Sequence, residues 1–345
     1  MRPLILLNTD PRPRSVVFSD SAWEGLTGSF EVVEFSDSRG HDSVFGEALP
    51  EAFAIVGQPD LPAELLARAT QLRALCNIEG NFFPNVDYDV CFARGIHVLG
   101  CGPVYAQPVA EFALGLAIDL ARGITREDRA FRAGDESYTG EGQVDSILLR
   151  HAAVGLVGFG NLGRALLPLL RPFAPTIRVY DPWLPDPVLR EFDVEPASLD
   201  EVLSQSTFVF VLATVTDESA YLLDAARLDL LPAGARLVLV SRAAVADFSA
   251  IYAGVRSGRF LAAIDVWPDE PVPLDDEARR LDGLLLSPHR AGGIPSAFLA
   301  IGDLVVDDLR LIANGLPPVR MQRAERELVQ RYRNKPIVRT PDSEP

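Results

Sequence analysis

Lysine is almost absent from this chain. Lys335 is the only lysine among 32 basic residues, and all the others are arginines. Schiff-base catalysis needs a lysine amine, so the scarcity removes nearly every candidate for that chemistry. Positive charge is also in deficit, because 48 acidic residues leave a formal net charge of -16 at pH 7. A nucleic-acid surface needs clustered cations that displace counterions from phosphates, and we therefore expect no nucleic-acid partner.

Cysteine is scarce as well. Cys76, Cys91 and Cys101 are odd in number and lack C-x-x-C spacing, which excludes a disulfide framework and a zinc knuckle. We expect reduced and mostly buried thiols in a reducing, cytoplasmic compartment. The acidic run at positions 269 to 277 lacks the regular ligand spacing of a hard-metal site, and we expect no bound metal.

Long uninterrupted apolar runs are missing too. The run that begins at Met1 is too short for a signal peptide and soon meets Asp10. The longest candidate for a membrane span, Phe112 to Ala121, is interrupted by Asp119. We therefore expect no membrane association.

Short apolar strands alternate with helical patterns along the chain of 345 residues, which is long enough for two domains. This alternation predicts parallel sheets with crossover helices, an α/β fold. The strands of the first series are predicted at Leu4-Leu7, Phe30-Phe35, Phe53-Val56, Leu72-Asn77 and His97-Leu99.

A long helix is predicted over Gln107-Ile124, with Pro108 in its first turn. The segment Arg126-Gly142 is polar and rich in glycine, which is typical of a loop or an extended arm. After Gly293 a second apolar stripe predicts a helix over Pro295-Ala313, ended by Asn314 and Gly315. The tail from Met321 is predicted to be a frayed or partner-packed end.

A second series of strands begins at Ala152 and predicts a doubly wound sheet of the nucleotide-binding type. Its six predicted strands are Val154-Val157, Ile177-Tyr180, Phe208-Leu212, Arg236-Val240, Leu261-Asp265 and Leu284-Ser287. Helices are predicted between them, at Asn161-Leu170, Leu199-Ser204 and Phe248-Ser257.

A G-x-G-x-x-G fingerprint follows the first strand of that second series. Gly158 permits a tight turn, Gly160 lets backbone amides approach a pyrophosphate, and Gly163 allows close contact between helix and strand. The fingerprint alone is weak, but here a strand precedes it and a helix follows it. Asp181 ends the next strand, where its carboxylate suits a ribose diol and repels a 2'-phosphate. We therefore expect NAD rather than NADP.

Three ionisable residues follow later strands of the same series. Arg242 suits a substrate carboxylate, His289 suits proton transfer, and Glu270 suits the orientation of the histidine. Each residue also has an alternative role without catalysis. Arg242 could form an ordinary ion pair, His289 could be a structural histidine, and Glu270 could be a solvated surface acid. Because the carboxyl ends of parallel strands share one sheet edge, we expect the three side chains to meet.

These motifs together resemble the D-isomer-specific 2-hydroxyacid dehydrogenase family over roughly residues 50 to 320. The segments that carry the resemblance are Asn85-Asp87, Arg94-Val98, Val109-Glu111, the glycine fingerprint, the surroundings of Arg242, Asp265-Pro271 and Ser287-His289. The resemblance implies an NAD-dependent oxidoreductase of a 2-hydroxy or 2-keto acid. Arg242 would anchor the substrate, His289 would be the acid/base, and Glu270 would be its partner.

The resemblance also implies how the domains are arranged. A Rossmann-type NAD-binding domain, residues 107-294, would be inserted in a flavodoxin-like substrate domain formed by residues 1-106 and 295-345. Homodimers would pair through the nucleotide domain. The cofactor would contact Gly158, Phe159, Gly160, Asn161, Leu162, Gly163, Asp181, Pro182, Thr214, Ser241, Asp265 and Gly292. Asp265 would face the nicotinamide carboxamide.

The predicted substrate loop, Asn77-Pro84, departs from the family pattern. It contains an acid and the pair Phe82-Phe83 where the family has a compact glycine-rich loop. The backbone amides of Ile78, Glu79 and Gly80 could still bind a carboxylate, but the charge of Glu79 disfavours a second anionic group. We therefore expect a non-phosphorylated substrate.

Two other functions remain open from the sequence. Formate dehydrogenases share the fold, but by resemblance they would have glutamine in place of Glu270. A corepressor-type protein that senses NAD(H) would keep the same three residues and act through partners. The chain shows no distinct insertion for binding partners, and the enzyme is the favoured interpretation.

Overall fold

The computed structural model describes residues 2-80, 82-138, 145-216 and 218-331. The chain divides into two compact units. Unit 1 takes the described residues up to Tyr105 and those from Ile294 onward, and unit 2 is Ala106–Gly293.

Unit 1 is built on a six-stranded sheet with the order β13-β5-β4-β3-β1-β2. The strands β1 to β5 run parallel, and β13 is an antiparallel edge strand beside β5. The order of the parallel strands is that of flavodoxin-like sheets. Their bounds are β1 Leu4–Leu7, β2 Glu31–Glu34, β3 Ala52–Val56, β4 Ala74–Asn77, β5 His97–Gly100 and β13 Gln322–Arg323.

Helices cover both faces of this sheet, and several begin at side-chain caps. Ser19, Asp42 and Asp87 each accept a hydrogen bond from a backbone amide of the first turn. The helices are α1 Arg14–Val17, α2 Asp20–Ser29, α3 Ser43–Ala48, α4 Ala63–Arg68, α5 Tyr88–Arg94, α13 Pro295–Ala313 and α14 Arg326–Val329. The apolar stripe of α13 packs against α1 and α2 in one of two cores.

Unit 2 contains a seven-stranded parallel sheet with the order β12-β11-β10-β9-β6-β7-β8. This is the Rossmann order with one further strand, and the chain reverses direction across the sheet between β6 and β9. The bounds are β6 Ala153–Val157, β7 Thr176–Tyr180, β8 Glu195–Pro196, β9 Phe208–Val211, β10 Ala235–Leu239, β11 Phe260–Ile264 and β12 Leu284–Leu286. The predicted α/β fold with two doubly wound sheets is thus confirmed.

The helices α6 to α12 accompany this sheet, and the residues of α6 from Ala106 onward belong to unit 2. Their bounds are α6 Pro103–Arg122, α7 Ile124–Ala133, α8 Asn161–Leu170, α9 Asp186–Glu191, α10 Leu199–Ser204, α11 Ala225–Leu228 and α12 Phe248–Arg256. Within the described residues, α6 is the one helix long and apolar enough to cross a membrane, by length and composition only. Its residues Val109, Ala113 and Leu116 are buried in the protein.

Several predicted boundaries were wrong. The helix α6 starts at Pro103 rather than Gln107, because Pro103 supplies the favourable first-turn proline and Pro108 lies inside the helix. The predicted arm is helical as far as Ala133, because α7 runs from Ile124 to Ala133. Residues 139-142 of that prediction lie outside the described residues. The tail does not fray at Met321, since β13 pairs with β5. The two-residue strand β8 was not predicted.

Candidate active site

The glycine fingerprint forms the turn between β6 and α8. Gly158 has a φ of +95°, and a Cβ there would lie 2.8 Å from the backbone nitrogen of Ala213, so only glycine fits. Gly163 lies beneath it, where a Cβ would be 2.9 Å from the carbonyl oxygen of Gly158. A Cβ on Gly160, at the start of α8, would meet nothing within 4 Å. This opening at a helix N-terminus can admit a pyrophosphate.

Asp181 fastens this turn to the end of β7. One carboxylate oxygen accepts a hydrogen bond from the backbone amide of Phe159 at 2.8 Å, and the other from Trp183 at 3.0 Å and Leu184 at 3.2 Å. The Asp181 carboxylate is therefore held beside the glycine fingerprint, in keeping with its predicted contact to the ribose of the cofactor.

The three predicted catalytic residues, Arg242, Glu270 and His289, follow the adjacent strands β10, β11 and β12. His289 Nδ1 lies 2.8 Å and 3.0 Å from the two carboxylate oxygens of Glu270. A carboxylate only accepts hydrogen bonds, so Nδ1 carries a proton and donates it, which leaves Nε2 as the atom that can exchange a proton. Arg242 donates to the carbonyl oxygen of Ser241 at 2.7 Å, and its charge reaches Glu270.

Two loops that carry this pair are braced against each other. The Trp267 amide donates to Glu270 at 3.0 Å, and the Trp267 indole donates to the carbonyl oxygen of Ser287 at 2.8 Å. Asp265, which is 1% exposed, accepts hydrogen bonds from the Ser287 hydroxyl and from the amides of the two residues after His289. His289 itself has a φ of +53°, a conformation that the bracing maintains.

The charges of the site influence one another. Burial alone would raise the pKa of Glu270, but its hydrogen bond to His289, the amide of Trp267 and the charge of Arg242 lower the pKa below its usual value. Burial lowers the pKa of Arg242, and the charge of Glu270 opposes this effect. Because the ordinary pKa of arginine is very high, Arg242 stays a cation at neutral pH. Glu270, whose pKa is lowered, stays an anion.

Comparison with known proteins identifies the family. The model of the "D-isomer specific 2-hydroxyacid dehydrogenase, NAD binding domain" matches residues 114–291, which is more than half of the chain. The chain belongs to this family. It is an NAD-dependent oxidoreductase of 2-hydroxy acids.

Individual relatives of the dehydrogenase extend over both units. A crystal structure of a phosphoglycerate oxidoreductase from Rhizobium etli is 46% identical, has a TM-score of 0.86 and covers 94% of this chain and 99% of that one. Glyoxylate reductase from Pyrococcus furiosus is 28% identical over 261 residues, 74% of this chain and 77% of that protein. D-3-phosphoglycerate dehydrogenase from Archaeoglobus fulgidus is 26% identical over 271 residues, 77% of this chain but 50% of that protein.

The residues of the dehydrogenase fit its cofactor. The open space at Gly160 and the carboxylate of Asp181 suit the pyrophosphate and ribose of NAD. The Ser241 hydroxyl is buried and has no hydrogen-bond partner among the described residues, so a polar ligand group can satisfy it. The other cofactor residues of the sequence prediction, Pro182, Thr214 and Gly292, also lie in loops that follow strands of this sheet.

The predicted substrate loop lies in unit 1 of the dehydrogenase, after β4. The Ile78 side chain is fully buried, and the Glu79 amide donates to the Asn77 side chain at 2.8 Å, so this amide of the prediction already has a hydrogen-bond partner. The Glu79 carboxylate pairs with Arg12 at 2.6 Å. Sequence analysis missed Arg12, because the two residues are 67 positions apart and no motif connects them.

The three cysteines are all free and buried. Burial raises the pKa of Cys91 and of Cys101 to about 12, and it raises the pKa of Cys76 further. Thiols with such raised pKa values are poor nucleophiles, which is in keeping with a structural role.

Proposed function

We propose that this dehydrogenase uses Arg242, Glu270 and His289 as its catalytic group. The observation that carries the proposal is the pair of contacts from His289 Nδ1 to Glu270, at 2.8 Å and 3.0 Å. They leave Nε2 for proton exchange, on the same sheet edge as the glycine turn of the cofactor site. Arg242 supplies the cation for the substrate carboxylate.

The roles of these residues differ between the two directions of the reaction. Bound NAD supplies the acceptor of hydride in oxidation and its donor in reduction. In oxidation, neutral His289 takes the hydroxyl proton at Nε2 while the carbon-bound hydrogen leaves as hydride. In reduction, protonated His289 returns the proton to the carbonyl oxygen. The charge of Glu270 stabilises the protonated form, and Arg242 holds the carboxylate throughout.

We propose a non-phosphorylated substrate. Two relatives bear names that refer to phosphoglycerate, so this point separates the chain from them. The support is the ion pair between Arg12 and Glu79 in the predicted substrate loop, because Glu79 offsets the charge of Arg12 and the pair offers no uncompensated cation to a phosphate. We further propose that residues 1-106 with 295-345 form the substrate domain and that residues 107-294 bind NAD; these bounds differ by one residue from those of units 1 and 2.

We also propose that the enzyme is a cytoplasmic homodimer that pairs through the NAD-binding domain. In α7 no residue is buried, and Ile124 and Phe131 are 55% and 61% exposed. The two side chains are seven positions apart, which places them two turns apart on one face of the helix, and an exposed apolar face suits a surface that another chain covers. The three reduced cysteines support a reducing compartment.

The decisive experiment is NADH oxidation with a panel of 2-keto acids that includes 3-phosphohydroxypyruvate. We expect rapid turnover of non-phosphorylated acids and slower turnover of the phosphorylated one. A preference for 3-phosphohydroxypyruvate would overturn the proposed substrate. Tight NADH binding without turnover of any acid would favour the corepressor-type sensor, for which no specific observation speaks.

A further inference from the structure

An ion pair spans the carboxyl edge of the sheet in unit 1. Arg12 lies in the loop after β1, where its amide donates to the Thr9 carbonyl oxygen and its own carbonyl accepts from the Thr9 hydroxyl, both at 2.9 Å. Glu79 lies in the loop after β4. The two side chains form a bidentate ion pair, with nitrogen-oxygen distances of 2.6 Å and 3.3 Å.

The position of the pair is a place where sheets of this order bind ligands. In the order 2-1-3-4-5 the chain reverses between β1 and β3, and ligands bind in the crevice at the carboxyl ends of the strands there. Arg12 and Glu79 follow β1 and β4, on either side of the end of β3. The pair therefore lies at the topological switch point of unit 1.

Aromatic rings enclose the pair. The Arg12 guanidinium lies 4.6 Å from the ring centroid of Phe298, and that ring packs edge-on against Tyr105. A Cβ added to Gly80 would lie 3.0 Å from the Tyr105 ring. The side chains of Arg12 and Glu79 are only 12% and 14% exposed, so solvent screens their charges less than those of surface pairs.

Stability alone gives little reason for such a pair. The cost of desolvating two largely buried charges offsets most of their attraction, and apolar residues of the same size often stabilise a protein equally well. Each charge does, however, cancel the field of the other at the predicted substrate loop. Burial alone would lower the pKa of Arg12, but the hydrogen bonds and charge of Glu79 raise it, so the arginine stays charged.

We propose that the Arg12–Glu79 pair sets the charge of the substrate side chain that the enzyme accepts, by making the substrate loop electrically neutral. This inference rests on the proposed function, in which residues 78 to 80 contact the substrate. With both charges present, the loop favours 2-keto acids whose only anion is the reacting carboxylate. Loss of Glu79 leaves a cation that attracts a second anion, and loss of Arg12 leaves an anion that repels one.

The test compares two isosteric substrates, 2-oxoglutarate and 2-oxoglutaramate, which carry a carboxylate and an amide at the same end. In Glu79→Gln the ratio of kcat/KM for the acid over the amide should rise about tenfold, because one unscreened charge changes binding by that order. In Arg12→Gln the ratio should fall by about the same factor, chiefly through KM. The double variant should return to within about threefold of the wild-type ratio, because its loop is neutral again.

The exposed pair Arg14 and Glu34, at 3.1 Å with side chains 45% and 58% exposed, provides the matched control. Glu34→Gln should leave the ratio unchanged, because solvent screens that charge. The proposal would be overturned if Glu79→Gln lowered kcat/KM equally for both substrates. It would also be overturned if all variants had the same ratio of kcat/KM for the acid over the amide. If Arg12→Gln fails to fold, the rise in Glu79→Gln and its reversal in the double variant still decide.

The inference and the proposed function fail in different ways. Active variants with unchanged ratios contradict only the role of the pair. A folded wild-type protein that binds NADH and turns over no 2-keto acid contradicts the proposed function, and this inference with it.

Discussion

Asp265 accepts a hydrogen bond of 2.8 Å from the backbone amide of Arg290, which directly follows the proposed acid/base His289. A second bond of 3.1 Å comes from the amide of Ala291. Asp265 directly follows the strand β11, and His289 follows the neighbouring strand β12. The carboxylate therefore connects the loop after β11 to the loop that carries His289. The family resemblance implies that Asp265 faces the nicotinamide carboxamide. The observed bonds add a role in holding the turn that carries His289.

The substitution Asp265→Asn should lower both stability and kcat. The amide group can accept one of the buried hydrogen bonds but presents a donor to another donor, and an unmatched buried group costs about 1 to 3 kcal/mol. Urea unfolding and saturating kinetics measure the two effects. Asp247→Asn, which can keep the N-cap of α12, is the control. A variant with normal stability and kcat but weaker NADH binding would instead indicate a role confined to the cofactor.

The substitution Glu270→Gln should slow reduction more than oxidation. Because the pKa of Glu270 is lowered, its carboxylate is charged throughout the neutral range and lies against the His289 imidazole. Glutamine keeps an oxygen that can accept the hydrogen bond from Nδ1, but it removes the charge that faces the imidazolium used in reduction. We expect single-turnover kinetics at neutral pH to show a fall of about tenfold in the rate of reduction and a smaller fall in the rate of oxidation. The exposed neighbour Asp269 allows a control, Asp269→Asn, in which both rates should stay at the wild-type value.

The substitution His289→Asn should remove the chemical step but keep cofactor binding. Asparagine adopts the left-handed backbone of residue 289 readily, so the turn should survive. Loss of a general acid/base lowers kcat by about 100- to 10,000-fold. Single-turnover kinetics and NADH fluorescence titration separate the two effects. His41→Asn, at an exposed histidine, should behave as wild type, and near-normal turnover in His289→Asn would refute the assigned role.

Much of the fold could be predicted because local pattern and burial agree. The bounds of α8, α10 and α13 match the predicted ranges, since each helix has an apolar face that is buried. The helix α7 was missed because it is polar on average and none of its residues is buried, so its composition is that of an exposed loop. The strand β8 has two residues at a sheet edge, too few for an alternating pattern.

At the site, the sequence could not predict contacts between residues that are far apart in the chain and share no motif. Arg242, Glu270 and His289 could be assigned because each follows a predicted strand, and the topology of parallel sheets places such ends at one edge. The Arg12–Glu79 pair depends on two loops that only the folded sheet brings together. Likewise, the sequence shows Asp265 but not which amides it accepts from.

Two of the three glycines of the cofactor turn, Gly158 and Gly160, should respond differently to substitution by alanine. In Gly160→Ala the new methyl group points into open space, so the melting temperature should change little, but it occupies the approach of the pyrophosphate. We expect the Kd of NADH to rise about tenfold, equivalent to about 1.4 kcal/mol. Gly46→Ala, also with an open Cβ position but in unit 1, should leave NADH binding unchanged. In Gly158→Ala the clash with Ala213 should lower the melting temperature itself.

The proposed dimer can be tested at α7. Phe131 is 61% exposed, and a glutamate there would place a charge in the middle of the proposed interface, where its desolvation opposes association. Light scattering after size exclusion should show a dimer for the wild type and a monomer for Phe131→Glu. Leu274→Glu, at a side chain 88% exposed outside α7, should remain dimeric. A monomeric wild type would contradict the proposed dimer. A Phe131→Glu protein that stays dimeric at low concentration would place the interface elsewhere, because a charge buried at the centre of an interface weakens it strongly.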